Sequence, residues 1–395
     1  MSRKACILVA HHVSRFINEM SRSETLLMVA DSEHDANMLY ATGLFAPDPF
    51  IYCHFGGRPL LVMSDLEIDR ARTQAPHCHV VSLNACQQKL RRDGVKSPGF
   101  AHIIRQLLRE KKVRRAAVPD NFPLGLAREL KKLGIKLKPR SGFFPKREIK
   151  SADEVRKISA ALTMAEVGMA EGMEVLRRSK IGRNRRLVHH GIALTSERLR
   201  AVIDCAILQA CGLAANTIVA GGKQSCDPHE RGHGSLRANE PIIIDIFPRS
   251  QKTGYFGDIT RTVVRGRASD AARRLYDTVR RGQKIAFDGI HAGVPTANIH
   301  KSVQGFFARE GYKTGRRNGH MEGFFHGTGH GLGLEIHEAP RLGATSSGRL
   351  RAGHVVTVEP GLYYPEIGGV RLEDVALVTN NGAKNLTRFE KVFEI

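Results

Sequence analysis

Between Thr25 and about Leu137, short apolar runs alternate with stretches of helical period. Leu26–Val29, Leu60–Met63, Val80–Leu83 and Ala116–Pro119 have the length of strands, whereas Phe100–Lys112 and Leu124–Leu133 repeat apolar residues three and four apart. Strands alternating with helices predict an α/β domain over residues 1–148. Pro139–Lys150, with Pro139, Gly142 and Pro145 among basic residues, reads as a linker. Ser151-Ala-Asp-Glu154 then has the pattern of a capping box with acids in the first turn. Val155, Ile158, Leu162, Ala165 and Met169 follow at helical spacing, so a long amphipathic helix opens a second domain over residues 149–395, with Met169 as core filler.

The chain has 395 residues, 42% apolar and 25% charged, which suits about two domains that each bury a core and excludes disorder as the main state. No run approaches the roughly 20 apolar residues of a membrane span. Cys6–Ala10 is too short for a signal peptide core and is closed by His11 and His12, which predicts a cytoplasmic protein. Lys and Arg number 61 against 39 Asp and Glu, a net charge of +22. Residues 1–150 hold 26 basic and 14 acidic residues, so the excess is spread along the chain rather than gathered in a DNA-binding tail. The densest run, Arg109, Lys111, Lys112, Arg114 and Arg115, reads as a solvated helix end, and nucleic acid is not an expected partner. Seven cysteines, none in a C-x-x-C pair, predict free thiols in a reducing compartment.

In the second domain apolar runs end on acids. Leu236-Arg237-Ala238 leads through Pro241 and Ile242–Ile244 to Asp245, and Leu350-Arg351-Ala352 leads through Val355–Val358 to Glu359. Asp258 follows 13 residues after Asp245 and Glu373 follows 14 after Glu359, so the chain reads as two related half-sites with two carboxylates each. Burying an acid behind three isoleucines is costly unless something positive compensates it, although either acid alone also fits a strand end bonded to a turn. Tyr255–Val264 reads as a strand joined to the first by the turn-rich Pro248–Gly254, so a hairpin can bring Asp245 and Asp258 together. Such a pair is relieved by a shared proton, an arginine or a metal.

His326-Gly-Thr-Gly-His330-Gly-Leu-Gly-Leu-Glu335-Ile-His337 places three histidines in twelve residues. Its glycines argue against the helix that a zincin requires. In extended chain positions 326 and 330 share a face, and the glycines admit close approach of backbone or ligand. Gly368-Gly-Val-Arg371-Leu-Glu373 leads into a predicted strand, Val370–Thr379, in which Arg371, Glu373, Val375 and Leu377 share a face. Asp245, Asp258, Glu359 and Glu373 with one imidazole form an oxygen-rich set best neutralised by two divalent cations, and Mn²⁺ or Co²⁺ suits it better than a thiolate-type zinc site.

In order and surroundings, Asp245, Asp258, His330, Glu359 and Glu373 resemble the five metal ligands of the pita-bread metallopeptidases, which include aminopeptidase P, prolidase and methionine aminopeptidase. The resemblance spans essentially the whole chain. Ala36-Asn-Met-Leu-Tyr-Ala-Thr-Gly43 and Gly57-Arg-Pro-Leu-Leu-Val62 are similar to the N-terminal domain of the creatinase and prolidase branch, and Lys150-Ser-Ala-Asp-Glu154 resembles its domain junction. Methionine aminopeptidases lack that N-terminal domain, and creatinase does not keep the ligand set.

The resemblance implies an α/β, creatinase N-terminal-like domain followed by an α+β pita-bread catalytic domain. It implies two divalent ions per chain, Mn²⁺ foremost with Co²⁺ or Zn²⁺ as alternatives. Asp245 would hold one, His330 and Glu359 the other, with Asp258 and Glu373 bridging. The implied reaction is hydrolysis of the Xaa-Pro bond at a peptide N-terminus, as an aminopeptidase or a dipeptidase, on a peptide with proline at its second position. Glu359 would be the general base. His229 and His337, with His326 nearby, would bind substrate and stabilise the intermediate, Arg371 would orient a carboxylate, and the chain would form a homodimer. One feature departs from the family: the 13 residues from Asp245 to Asp258 exceed the usual spacing by two. A longer hairpin loop is cheap in closure entropy, and an even shift preserves side-chain alternation. Two other readings share the fold, a catalytically inactive module that binds protein or nucleic acid and a hydrolase of a non-proline amide or C–N substrate.

Overall fold

The computed structural model of this chain describes residues 24–395, and the run Cys6–Ala10 lies outside them. The apolar runs of the first unit form β1 (Leu26–Ala30), β3 (Leu60–Met63), β4 (His79–Ser82) and β5 (Arg115–Pro119). With β2 (Phe50–His54) and β6 (Lys136–Arg140) they make a six-stranded sheet of order β4-β3-β2-β1-β5-β6. β1, β2 and β3 pair antiparallel and the remaining pairs are parallel. Leu26 and Met28 pack on one face with Tyr52 and Leu61, and Leu27 and Val29 on the other with Ile51 and Val62. Burial on both faces is why these strands read as unbroken apolar runs.

Helix α1 (Ala36–Thr42) is too short to show a period, and α2 (Ile68–Gln74) and α3 (Leu83–Arg92) carry too few apolar residues for theirs to reveal them, whereas α4 (Phe100–Glu110) and α5 (Leu124–Lys132) fall where the period indicates. Pro139–Lys150 is not a free linker. Pro139 sits in β6, an edge strand, where a sheet tolerates proline, and Pro145–Glu148 is a short 3-10 turn. The described residues divide into two compact units between Pro145 and Lys146. The six cysteines among the described residues are free, and no described helix is long and apolar enough to cross a membrane.

The second unit opens with α6 (Ala152–Arg178). The Ser151 hydroxyl accepts from the Glu154 backbone N–H at 3.3 Å while the Glu154 carboxylate accepts from the Ser151 N–H at 2.9 Å, the reciprocal cap that the sequence spells. Helix α7 (Ser196–Gln209) packs against α6, and Ile203 and Ile207 press on Gly168 and Gly172 where a β-carbon would not fit. Two antiparallel sheets carry the acids. β7 (Ile218–Gly221), β8 (Ile242–Ile246) and β9 (Ile259–Val263) form one, with β8 central. The other contains β10 (Gly329–Gly331), β11 (Glu338–Leu342) and β12 (Val355–Val358), while β13 (Gly361–Tyr364) and β14 (Gly368–Arg371) pair separately. β15 (Asp374–Val378) and β16 (Ala383–Asn385) complete the second sheet in the order β11-β10-β12-β15-β16. Helices α8 (Asp270–Gly289) and α9 (Thr296–Arg309) close a core of Leu275, Val279, Phe307, Val356 and Val358.

The internal repeat of the sequence is a repeat of structure. Asn239 and Gly353, which follow the two Leu-Arg-Ala triplets, both hold left-handed backbone, with φ of 67° and 91°, a conformation open to Gly and, less easily, Asn. Each then feeds the central strand of its sheet. The register corrects one detail. Ile244 pairs with Arg261 and Val358 with Asp374, so Thr260 corresponds to Glu373 and Asp258 to Arg371. Each half gives two acids; Asp245 and Glu359 match, and Asp258 and Glu373 do not. The predicted strand Val370–Thr379 is also two strands: β14 turns away to pair with β13, and between β14 and β15 the Glu373 N–H donates to the Thr260 carbonyl at 3.1 Å.

Gly257, just before Asp258, faces the backbone of α6: a β-carbon there would lie 2.5 Å from the Ala161 carbonyl. Backbone cannot rotate aside as a side chain does, so Gly257→Ala is expected to destabilise the fold by about 1–3 kcal/mol. Denaturant unfolding of the two proteins measures it.

Candidate metal centre

Five residues on or beside strands converge. Asp245 lies within β8, Asp258 immediately precedes β9, His330 is the middle residue of β10, Glu359 follows β12, and Glu373 sits between β14 and β15. Donor atoms of Asp258, His330 and Glu373 lie within 4.8 Å of one another. His330 Nε2 is 3.4 Å from Glu359 Oε1 and 3.7 Å from Asp258 Oδ2. Its Nδ1 donates to the Gly331 carbonyl at 3.1 Å, which turns the lone pair of Nε2 toward the acids. Asp245 joins the set through Arg371, whose Nη2 donates to Asp245 Oδ2 at 2.7 Å and whose Nε is 3.5 Å from Thr260 Oγ1. Thr260 Oγ1 in turn donates to Glu373 Oε2 at 2.8 Å.

Burial raises the Asp258 carboxyl well above the usual range, and repulsion from Glu373, Asp245 and Glu359 adds to it. Glu373 is raised by burial and then by Glu359 and Asp245. Burial lifts Glu359 to about 7, with Arg371 pulling the other way. Burial, with His337 beside it, lowers His330 to about 3. Asp245 Oδ1 and Glu373 Oε1 are buried without a hydrogen-bond partner. Acids that resist ionising together, orphaned carboxylate oxygens and an imidazole lone pair aimed among them make a site short of positive charge, and these residues fit divalent cations.

Comparison with known proteins agrees. Residues 156–380 match the model of metallopeptidase family M24. The chain belongs to this family. It is 32% identical to an Xaa-Pro dipeptidase of Pyrococcus horikoshii over 283 residues, 71% of this chain and 74% of that one. An uncharacterised peptidase of Staphylococcus aureus is 34% identical over 250 residues, 62% of this chain and 64% of its own length, so this match spans slightly less than two thirds of that relative. In fold, the chain is similar to an X-Pro aminopeptidase of Thermotoga maritima, with a TM-score of 0.79 at 22% identity, over 94% of this chain and 98% of that one. The two-domain pita-bread architecture of the M24 peptidases is therefore the fold of this chain.

Around the five groups this M24 chain places residues that the sequence singled out and several that it did not. His326 Nδ1 lies 2.8 Å from the Gly327 carbonyl and Nε2 2.8 Å from the Tyr363 hydroxyl. Tyr363 also accepts from Arg371 Nη1 at 3.0 Å. Both nitrogens of His326 are thus engaged by the protein, and burial lowers its pKa to about 3. The His337 ring stands edge-on to His330, 4.3 Å between centroids. His229 is exposed and close enough to disfavour protonation of both His326 and His337. Thr357, whose hydroxyl accepts from the His330 N–H at 3.1 Å, carried no signal in the sequence beyond its place beside an acid, and neither did Tyr363 or Thr260.

Arg261 also escaped the sequence reading, because Ile259–Val263 has polar residues throughout its centre and nothing in it marks the arginine as buried. It is 1% exposed. Its guanidinium donates to the carbonyls of Glu373 at 2.6 Å and Thr260 at 2.9 Å and to Asp374 Oδ1 at 2.9 Å, and Lys391 binds the other Asp374 oxygen. Arg261→Met would leave Asp374 and these carbonyls buried with too few donors. Removing one partner of such a pair costs about 3–5 kcal/mol, a loss that chemical denaturation of the variant is expected to reproduce.

Proposed function

We propose that this M24 peptidase is a dinuclear-metal exopeptidase that hydrolyses the Xaa-Pro bond at peptide N-termini. The observation that carries the reading is the convergence of Asp245, Asp258, His330, Glu359 and Glu373 on one buried spot. The names of the Pyrococcus dipeptidase and the Thermotoga aminopeptidase support the Xaa-Pro part of it. In this reading Asp245 would hold one metal, His330 and Glu359 the other, and Asp258 and Glu373 would be shared by both. Bound there, the two ions would supply a lowered water pKa and Lewis-acid polarisation of the scissile carbonyl. Mn²⁺ suits the oxygen-rich set best, with Co²⁺ or Zn²⁺ as alternatives. A cytoplasmic homodimer is the expected setting.

The protein's own groups divide the remaining work. Glu359 has the more accessible carboxylate, 20% exposed against 6% for Asp258, so it is the acid an attacking water meets, and it takes the water's proton and passes it to the leaving nitrogen. Arg371 holds Asp245 and Tyr363 in place. His337, beside His330, and exposed His229 are placed to donate hydrogen bonds to the substrate carbonyls. His326, committed to Tyr363 and Gly327, acts as a positioning residue for the Tyr363–Arg371 pair. A proline nitrogen carries no N–H, so a site that recognises this bond depends on the ring and the carbonyls on either side.

Glu373→Ala and His330→Ala are each expected to lose bound metal and turnover together while circular dichroism stays unchanged. Metal analysis by mass spectrometry with an Mn²⁺-supplemented Xaa-Pro assay reads both, and full activity in either variant refutes the assignment. Comparing an Xaa-Pro dipeptide with an Xaa-Pro-Xaa tripeptide separates dipeptidase from aminopeptidase. Intact metal uptake with no cleavage of either would favour another amide substrate.

A further inference from the structure

One part of the basic excess is a short run on the second unit. Between residues 177 and 200 there are eight basic residues against one acid, Glu197, and seven of the eight are arginines. Arg177, Arg178, Lys180, Arg183, Arg185 and Arg186 are all exposed. Arg177, Arg178 and Arg185 reach Glu390, Glu174 and Glu240. Among the described residues no carboxylate lies within ion-pair distance of Lys180, Arg183 or Arg186.

A second observation sets this cluster apart from ordinary surface charge. Arg186 and Arg237 are partners in an isolated antiparallel bridge. Leu187 N–H donates to the Leu236 carbonyl at 2.9 Å and Ala238 N–H to the Arg185 carbonyl at 2.7 Å. These bonds flank the pair, so Arg186 and Arg237 occupy the non-hydrogen-bonded position, where facing side chains come closest. Like charges directly opposed are destabilising. In the other half of the repeat the corresponding residue, Arg351, is neutralised by Glu148 at 2.9 Å, whereas Arg237 faces another arginine.

We infer that the surface around Arg186 and Arg237 docks the phosphodiester backbone of a nucleic acid, the anion supplying the charge that the opposed arginines lack. Arginine rather than lysine dominates, as suits forked contacts to phosphate. An anionic membrane fits less well. The exposed isoleucines of this region, Ile181 and Ile192, lie opposite Leu187 and His189 in the small sheet, on the face of buried Leu187 and turned from Arg186, so they do not extend the basic surface with an apolar one. No Phe, Tyr or Trp falls between residues 177 and 200, so the run offers contacts to phosphate rather than a platform for stacked bases. Six of these basic residues lie within ten positions of sequence, and folding sets Arg237 against them.

The test titrates the full-length protein with a fluorescein-labelled duplex of about 20 base pairs between about 50 and 200 mM salt. Arg186→Gln/Arg237→Gln is compared with Arg91→Gln/Arg92→Gln, which removes the same charge from exposed arginines of α3. The first variant is expected to weaken binding at least about 5-fold and to lower the magnitude of the salt slope by about 2, at roughly 0.9 for each phosphate that is no longer neutralised. The second is expected to change neither. Metal content and peptide hydrolysis are expected to be unchanged in both, and Arg237→Gln alone serves where the double variant does not fold. Equal weakening by the two variants would mean diffuse attraction and overturn the proposal. So would unchanged binding in the first, or arginine-dependent binding to vesicles of anionic lipid that exceeds binding to the duplex.

Discussion

Four carboxylates cannot stay charged around one buried imidazole unless positive charge is fixed among them, and the second unit is organised around that requirement. Part of it is met by permanent cations of the chain. Arg371, 3% exposed, holds one oxygen of Asp245 at 2.7 Å. Arg261, 1% exposed, ties the backbone of Thr260 and Glu373 to Asp374. Guanidinium groups do this work because they stay charged when buried and offer several donors in a fixed plane. The remainder is left unmet, as the orphaned oxygens of Asp245 and Glu373 show, and that deficit defines a place for divalent cations.

The repeat explains how so much charge is brought to one point. Arg261 and Asp374 occupy corresponding positions in the two halves and bind each other, and so do Thr260 and Glu373. The halves therefore meet along a seam of complementary, not identical, side chains. The asymmetry continues outward. By register, Ala220 of β7 corresponds to His330 of β10, so only one half supplies an imidazole. Where the first half has Asp258 the second has Arg371. A symmetric site would place like charges opposite one another; the divergence of the halves replaces repulsion with pairing at each crossing.

Much of this was legible because its signals are local. An acid at the end of an apolar run is visible without knowledge of the fold, as Asp245 and Glu359 are, and Ser151–Glu154 announces a helix that begins where the cap requires. Four of the six strands of the first unit were readable as apolar runs, β1, β3 and β5 because burial leaves them continuously apolar, whereas the edge strand β6 is mostly polar and β2 was not picked out. What stayed hidden depends on partners distant in sequence. Nothing near Glu373 reveals that β14 leaves the sheet to pair with β13, so the segment reads as one strand. α3 is built from LNACQQKLRR, whose single fully buried residue is Leu90, too little for a period. Tyr363 looks like any strand aromatic until its hydroxyl is seen between His326 and Arg371.

The longer hairpin between Asp245 and Asp258 shows why spacing alone is a weak guide. Two extra residues cost little to close, since even a doubling of loop length costs only about 0.6 kcal/mol. Nor does the segment remain loose. Arg249 and Ser250 pair with Leu213 and Gly212 at the end of α7, Gln251 N–H donates to the Cys211 carbonyl at 3.1 Å, and Phe256 N–H donates to the Gly333 carbonyl at 2.9 Å. Backbone bonds of about 0.5–1.5 kcal/mol each offset so small an entropic cost. Gly333 belongs to the segment that carries His337, so the extension ties the strand of Asp258 to one wall of the site. An insertion of even length leaves the facing of the acids intact while reaching the segment that carries His337, and register is the constraint that separates those two effects.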